Sequence, residues 1–178
     1  MDMAKKKVLG ILGSTKAHSS NERLLKKIGE VMQEHIDLTI FNQIADQPHF
    51  NPDLDNAEVA PVVTDFRQQI AEADGVIICT PEYVFSIPGS LKNALEWTVS
   101  TVVFTDKPLG IITASASGEK GHEQLQLIMR TLGVDFTEDT LLLISGIKGK
   151  VNNEGEIVHA ETLHQVKQFS EAFVAYIS

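Results

Sequence analysis

The stretch Val8-Leu9-Gly10-Ile11-Leu12-Gly13-Ser14-Thr15-Lys16-Ala17-His18-Ser19-Ser20-Asn21 decides how the chain folds. Its first five residues are apolar with no polar alternation, the pattern of a strand covered on both faces. A glycine, a run of hydroxyl and amide side chains and one lysine follow. A helical pattern then starts at once: Leu24, Leu25, Ile28, Val31 and Met32 recur every three or four residues, with Glu22, Lys26, Lys27 and Glu30 on the opposite side. A doubly covered strand, a polar turn and an amphipathic helix together predict a parallel sheet between helix layers.

Outward from this stretch the pattern repeats. Val76 to Cys79, Leu109 to Ile112 and Leu141 to Ile144 are apolar throughout, while Leu38 to Phe41 is interrupted by Thr39 and reads as a strand nearer an edge. Helical faces lie between them. One carries Val62, Val63, Phe66 and Ile70, and the next Leu91, Ala94, Leu95, Thr98 and Val99. Another carries Leu125, Ile128, Met129 and Leu132, and the last Leu163, Val166, Phe169, Phe173 and Ile177. Residues 151–158, with Asn152-Asn153-Glu154-Gly155 at their centre, read as a small hairpin. Five strands alternating with five helices predict an α/β, doubly wound sheet of five parallel strands in the order 2-1-3-4-5, with helices on both faces and right-handed crossovers. The 178 residues are expected to form a single domain spanning 1–178.

Composition narrows the function. The chain carries 24 acidic and 15 basic residues, a formal charge of −9, which disfavours nucleic acid and anionic membranes as partners. No apolar run approaches the ~20 residues that span a bilayer, and the short run after Lys5-Lys6-Lys7 does not make a signal-peptide core. The expected location is cytoplasmic. A single cysteine excludes an internal disulfide, and Cys79, inside an apolar run, reads as a buried hydrophobe. None of the six histidines shows the i,i+4 pairing of a helical metal site, so no metal site is expected.

In such a sheet ligands bind outside the carboxyl ends of the strands. After the first strand, Gly13 to Asn21 bring five hydroxyl or amide side chains and Lys16 to a helix start, where free N–H groups and the dipole accept phosphate. Ser19, Ser20 and Asn21 are also favoured N-cap residues, though one cap needs only one of them. No Gly-x-Gly-x-x-Gly and no Gly-Lys-Ser/Thr is present, which favours a mononucleotide over a dinucleotide or a P-loop nucleotide. After the third strand, Thr80 to Trp97 form a loop stiffened by Pro81 and Pro88, with Pro88 placed to open a helix capped by Ser86. Tyr83 and Phe85 there suit a flat aromatic ligand; the alternative is packing at the end of the core or in a subunit interface.

Two segments carry a resemblance to the NADPH-dependent FMN reductase family, flavodoxin-like flavoproteins that include quinone, azo-dye and chromate reductases. The family pattern Gly-Ser-x-Arg-x-x-Ser-x-Asn is matched by Gly13, Ser14, Ser19 and Asn21, with Lys16 in place of arginine. Its pattern Pro-Glu-Tyr-Asn-x-Ser-x-Pro-Gly-x-Leu-Lys-Asn-Ala-x-Asp-Trp is matched at Pro81, Glu82, Tyr83, Ser86, Pro88, Gly89, Leu91, Lys92, Asn93, Ala94 and Trp97. Val84 replaces the asparagine and Glu96 the aspartate. A looser Ser/Gly turn follows the fourth strand at residues 115–121, with His122 where the family often has glycine.

The resemblance implies an enzyme in which NAD(P)H passes hydride to FMN, which then delivers electrons to a small acceptor such as a quinone, an azo dye, a metal ion or free flavin. It implies Ser14, Lys16, Ser19, Ser20 and Asn21 around the FMN phosphate, and Pro81, Glu82, Tyr83 and Val84 along the isoalloxazine. Ser115 and Gly118 are implied on its other side or along the ribityl chain. No side chain is called on as acid or base, the cofactor carrying the hard step. Lys16 lacks arginine's two-pronged grip, so a looser hold on phosphate is expected. His18 and His122 are the histidines placed in ligand-facing loops. A homodimer or homotetramer is implied, with Phe85, Trp97, Val102, Val103 and Phe104 available as an apolar face or, alternatively, as the end of the core. The other readings are a flavodoxin-type electron carrier, against which the absence of a Thr-x-Thr-Gly-x-Thr loop speaks, and a flavin-free regulatory protein that keeps the fold.

Overall fold

In the computed structural model, which describes residues 4–178 except positions 57 and 135, five parallel strands form one sheet. They are β1 (Lys6–Leu12), β2 (Ile36–Phe41), β3 (Gly75–Thr80), β4 (Leu109–Ser115) and β5 (Leu141–Ser145), in the order β2-β1-β3-β4-β5. The expected order holds. β2 lies at an edge, and its alternating burial is why its sequence signal is the weakest. β3 and β4, paired on both sides, are buried from end to end but for Ser115.

Alternate side chains of each strand feed two cores. Val8, Leu12, Ile77, Cys79 and Ile112 pack under α1 (Ser20–Val31) and α5 (Ala160–Ile177). Leu9, Ile11, Val76, Ile78 and Ile111 pack under α2 (Pro61–Glu72), α3 (Gly89–Glu96) and α4 (Glu119–Thr131). No described helix is long and apolar enough to cross a membrane.

Helix starts follow local chemistry. Ser19 caps α1 by accepting the Glu22 N–H at 3.1 Å, and Glu22 reaches back to the His18 N–H at 2.9 Å, close to a capping box. Pro61 opens α2, and the His159 ring caps α5 through the Thr162 N–H. The start of α3 departs from the sequence reading. The helix begins at Gly89, Pro88 occupies the cap position, and no side chain caps it. Ser86 is engaged elsewhere: its backbone closes a tight turn with Tyr83, and its hydroxyl donates to Gln124 Oε1 on α4 at 2.5 Å.

The hairpin at 151–158 is present, with Val151 bridged antiparallel to Ile157. Of the residues expected to offer an apolar face, Trp97 and Phe104 are buried in the fold, and Trp97 meets the Phe50 ring edge-on at 5.1 Å. Phe85 and Val102 are exposed.

Candidate functional site

Gly13 ends β1, its N–H extending the ladder to the Cys79 carbonyl at 2.9 Å. A Cβ at this position would lie 2.2 Å from Thr80 Oγ1, so only glycine lets the loop leave the sheet this close to β3. The loop then bends through His18, at φ 52°, into α1. The order β2-β1-β3 reverses direction at β1 and β3, and here the connections leaving the two strands turn to opposite faces of the sheet, one to α1 and the other to α3.

A cavity of about 450 Å³ opens at this point. Ser14, Lys16, His18, Ser19, Ser20, Asn21 and Arg23 form one side, Pro81 and Tyr83 a second, Ala114, Ser115 and Ala116 a third, and Gly146, Ile147 and Lys148 the last. Three cations line it and no carboxylate does, in a chain with 24 acidic residues. A neighbouring cleft of about 370 Å³ lies on the β2 side of the same loop, but Glu22 and Lys26 in its wall pair with each other at 2.7 Å. Lys26 holds the Glu22 carboxyl below its usual range, with burial opposing. The larger, carboxylate-free cavity at the switch point is the better anion site.

The predicted site residues divide. Ser14, Lys16, Ser19, Ser20, Asn21, Pro81, Tyr83 and Ser115 come together around this cavity. The Ser14 and Tyr83 hydroxyls approach to 3.4 Å across it, and Ser14 Oγ accepts the Lys16 N–H. The Asn21 amide is turned into the fold: Nδ2 donates to the Ala114 carbonyl at 3.0 Å, and Oδ1 accepts from the Cys79 thiol at 3.4 Å. That side chain ties α1 to the ends of β3 and β4. Burial pushes the Cys79 thiol far up, which makes it an inert member of the core.

Glu82, Val84 and Gly118 do not line the cavity. The Glu82 carboxylate accepts the Gly118 N–H at 3.3 Å and the Gly121 N–H at 2.8 Å, so it caps α4 from another loop. Gly118, at φ 96°, is the residue from which α4 starts. Val84 is 94% exposed, at the tip of the Tyr83–Ser86 turn. His122, expected in a ligand-facing loop, instead stands in the first turn of α4 with Nδ1 2.9 Å from Thr113 Oγ1, and burial lowers its pKa.

Arg23 and Lys148 escaped the sequence reading. Arg23 follows Ser19 by four residues and so shares its helix face, a spacing that was available to read. Lys148 reaches the cavity only through tertiary contacts, because Gly146 and Ile147 donate to the Ala116 and Ser115 carbonyls. The donor set fits a phosphate with an aromatic group attached: hydroxyls, a helix start and cations at one end, Pro81 and Tyr83 beside them.

Residues 6–145 match the family model described as NADPH-dependent FMN reductase. The chain belongs to that family. It is an NAD(P)H-dependent oxidoreductase whose cofactor is FMN, as the two motifs imply. Among its relatives is the NADPH:quinone oxidoreductase of Arabidopsis thaliana, 33% identical over 91% of this chain and 87% of that protein. The quinone reductase of Escherichia coli K12 is 28% identical over 97% and 96%. Among solved structures, FerB, a flavoenzyme NAD(P)H:(acceptor) oxidoreductase from Paracoccus denitrificans, superposes with a TM-score of 0.86 at 25% identity, covering 97% of each chain.

Proposed function

We propose that this reductase passes electrons from NAD(P)H to small quinone-class acceptors, acting in the cytoplasm as a homo-oligomer in which residues 1–178 of each copy form one flavin-binding domain. The observation that carries the reading is the cavity at the switch point, hydroxyl-lined and cationic, with no carboxylate in its wall. The two relatives named as quinone reductases support the acceptor class. FMN, when bound, supplies the acceptance of hydride from the nicotinamide and the onward delivery of electrons.

The chain's own residues supply place and field. Ser14, Ser19, Ser20 and the first N–H groups of α1 hold the phosphate, and Lys16 adds charge at the rim. Asn21, its side chain committed to Ala114 and Cys79, fixes the helix start relative to the sheet. Pro81 and Tyr83 border the ring, and Ser115 faces them from the end of β4. Its hydroxyl donates to the Glu82 carbonyl at 3.3 Å, which joins the β3 and β4 loops. Glu82 and Gly118 act one step back, by setting where α4 and its loop stand. The exposed Val84–Phe85 tip stands outside the cavity.

Anaerobic titration of the FMN-loaded protein tests this. Loss of the flavin's visible absorbance on adding NADH or NADPH, and its recovery on adding a quinone, is the expected result. Flavin that neither nicotinamide bleaches would overturn the enzyme reading in favour of an electron carrier.

A further inference from the structure

Where the family pattern set out above has arginine this chain has Lys16, which is exposed and borders both clefts beside the loop. Its ammonium is a point charge on a long stem and fixes no orientation. Arg23, the fourth residue of α1, is placed differently. It lines the carboxylate-free cavity on the helix face of the capping Ser19. Nη1 donates to the His18 carbonyl at 3.0 Å, which steers the guanidinium toward the loop. Nε is buried and has no partner.

The carboxylates nearest along α1 are already taken. Glu22 pairs with Lys26, Glu30 and Glu156 pair with Lys27, and Arg23 forms no ion pair among the described residues. A guanidinium that lines a carboxylate-free cavity and has no ion pair among the described residues leaves its charge for an anion in that cavity to meet.

We propose that Arg23 is the phosphate-binding arginine of this chain, taking from within α1 the role that position 16 has lost. The inference rests on the FMN reading above and assigns the cofactor's phosphate a charge partner that the family motif does not mark. A planar fork offers the phosphate paired charge-assisted hydrogen bonds. Lys148, on the facing wall, adds a second cation.

The alternative is that Arg23 only braces the loop at His18. Riboflavin, which is FMN without its phosphate, separates the two. The flavin-stripped full chain is titrated with FMN and with riboflavin, and the dissociation constants are read from flavin fluorescence. In Arg23→Met the FMN constant should rise roughly 10- to 100-fold, the scale of a lost charged hydrogen-bond pair, while that for riboflavin changes less than about threefold. Arg23→Lys, which keeps the charge and most of the packing, should fall between wild type and Arg23→Met. Lys16→Met should cost less than Arg23→Met. Parallel weakening of both flavins in Arg23→Met and Arg23→Lys would overturn the proposal and leave Arg23 as a brace. A larger loss in Lys16→Met would overturn it too. Wild-type protein that binds FMN no better than riboflavin would instead sink the phosphate-site reading, and this inference with it.

Discussion

Val84 and Phe85 sit at φ 52° and φ 56°, in a two-residue turn closed by Tyr83 N–H to Ser86 O at 2.8 Å and Ser86 N–H to Tyr83 O at 3.0 Å. Turns with both central residues at positive φ select Asn and Gly, and a β-branched residue there is strained. The family's asparagine at this position is therefore explained by backbone as well as by any contact it makes. Val84→Asn should stabilise the protein by roughly 0.5–1 kcal/mol, part of the ~1–3 kcal/mol that such conformations cost. The denaturant midpoint of the two proteins measures it, and a lower midpoint in Val84→Asn would refute the strain argument. At this scale the sequence was only partly legible. The hydroxyls of Ser14 and Ser19 could be placed from their distance to the helix start. Nothing local tells that the Asn21 amide turns inward to Ala114 and Cys79, because both partners come from distant strands. Arg23 differs: its spacing of four from Ser19 was there to read, but a charged helix residue reads as solvated unless that spacing is weighed.

The link between the β3 loop and α4 belongs to the scale of elements. Glu82 accepts two N–H groups at the N-terminus of α4, and Ser86 and the Phe85 carbonyl both bond Gln124 on the same helix. Gly118 lets the chain enter α4 at φ 96°, and a Cβ there would lie 2.9 Å from Leu143 Cδ1. The β3 loop, which borders the cavity through Pro81 and Tyr83, thus stands on α4. Glu82→Ala should cost roughly 1–3 kcal/mol of stability, the range of lost caps and charged hydrogen bonds, with Glu82→Gln costing less. It should also weaken FMN binding, since the loop loses its footing. Urea unfolding and flavin titration of the same variants check both, and unchanged stability in Glu82→Ala would show the cap to be idle. The elements themselves were legible because their apolar periods are clean, including the edge character of β2. The start of α3 was not, because Ser86 serves a turn and a distant helix that no local pattern announces.

At the scale of the whole molecule, the sheet is closed on both faces. α1 and α5 cover one side, and α2, α3 and α4 the other, so neither face of the sheet is left to bind a second copy. The apolar surface that remains exposed lies largely outside these layers. Phe85 is 74% exposed on the loop beside the cavity, and Val102 is 79% exposed in the turns after α3. Whether such residues finish a core or face a partner cannot be read from hydrophobicity. Trp97 and Phe104 went inward and Phe85 and Val102 did not, and packing alone made that division. Exposed aromatic and aliphatic groups next to a ligand site cost solubility in a monomer and are stabilised when another chain covers them. The homo-oligomer proposed above predicts that sedimentation of the wild-type chain gives at least twice the mass of one copy. Phe85→Glu should then shift the population toward a single copy, because a buried unpaired carboxylate disfavours the interface strongly. Its far-UV spectrum should not change, since Phe85 is absent from both cores. Wild-type protein that sediments as one copy at all concentrations would refute the assembly, and Phe85 would then be left facing solvent.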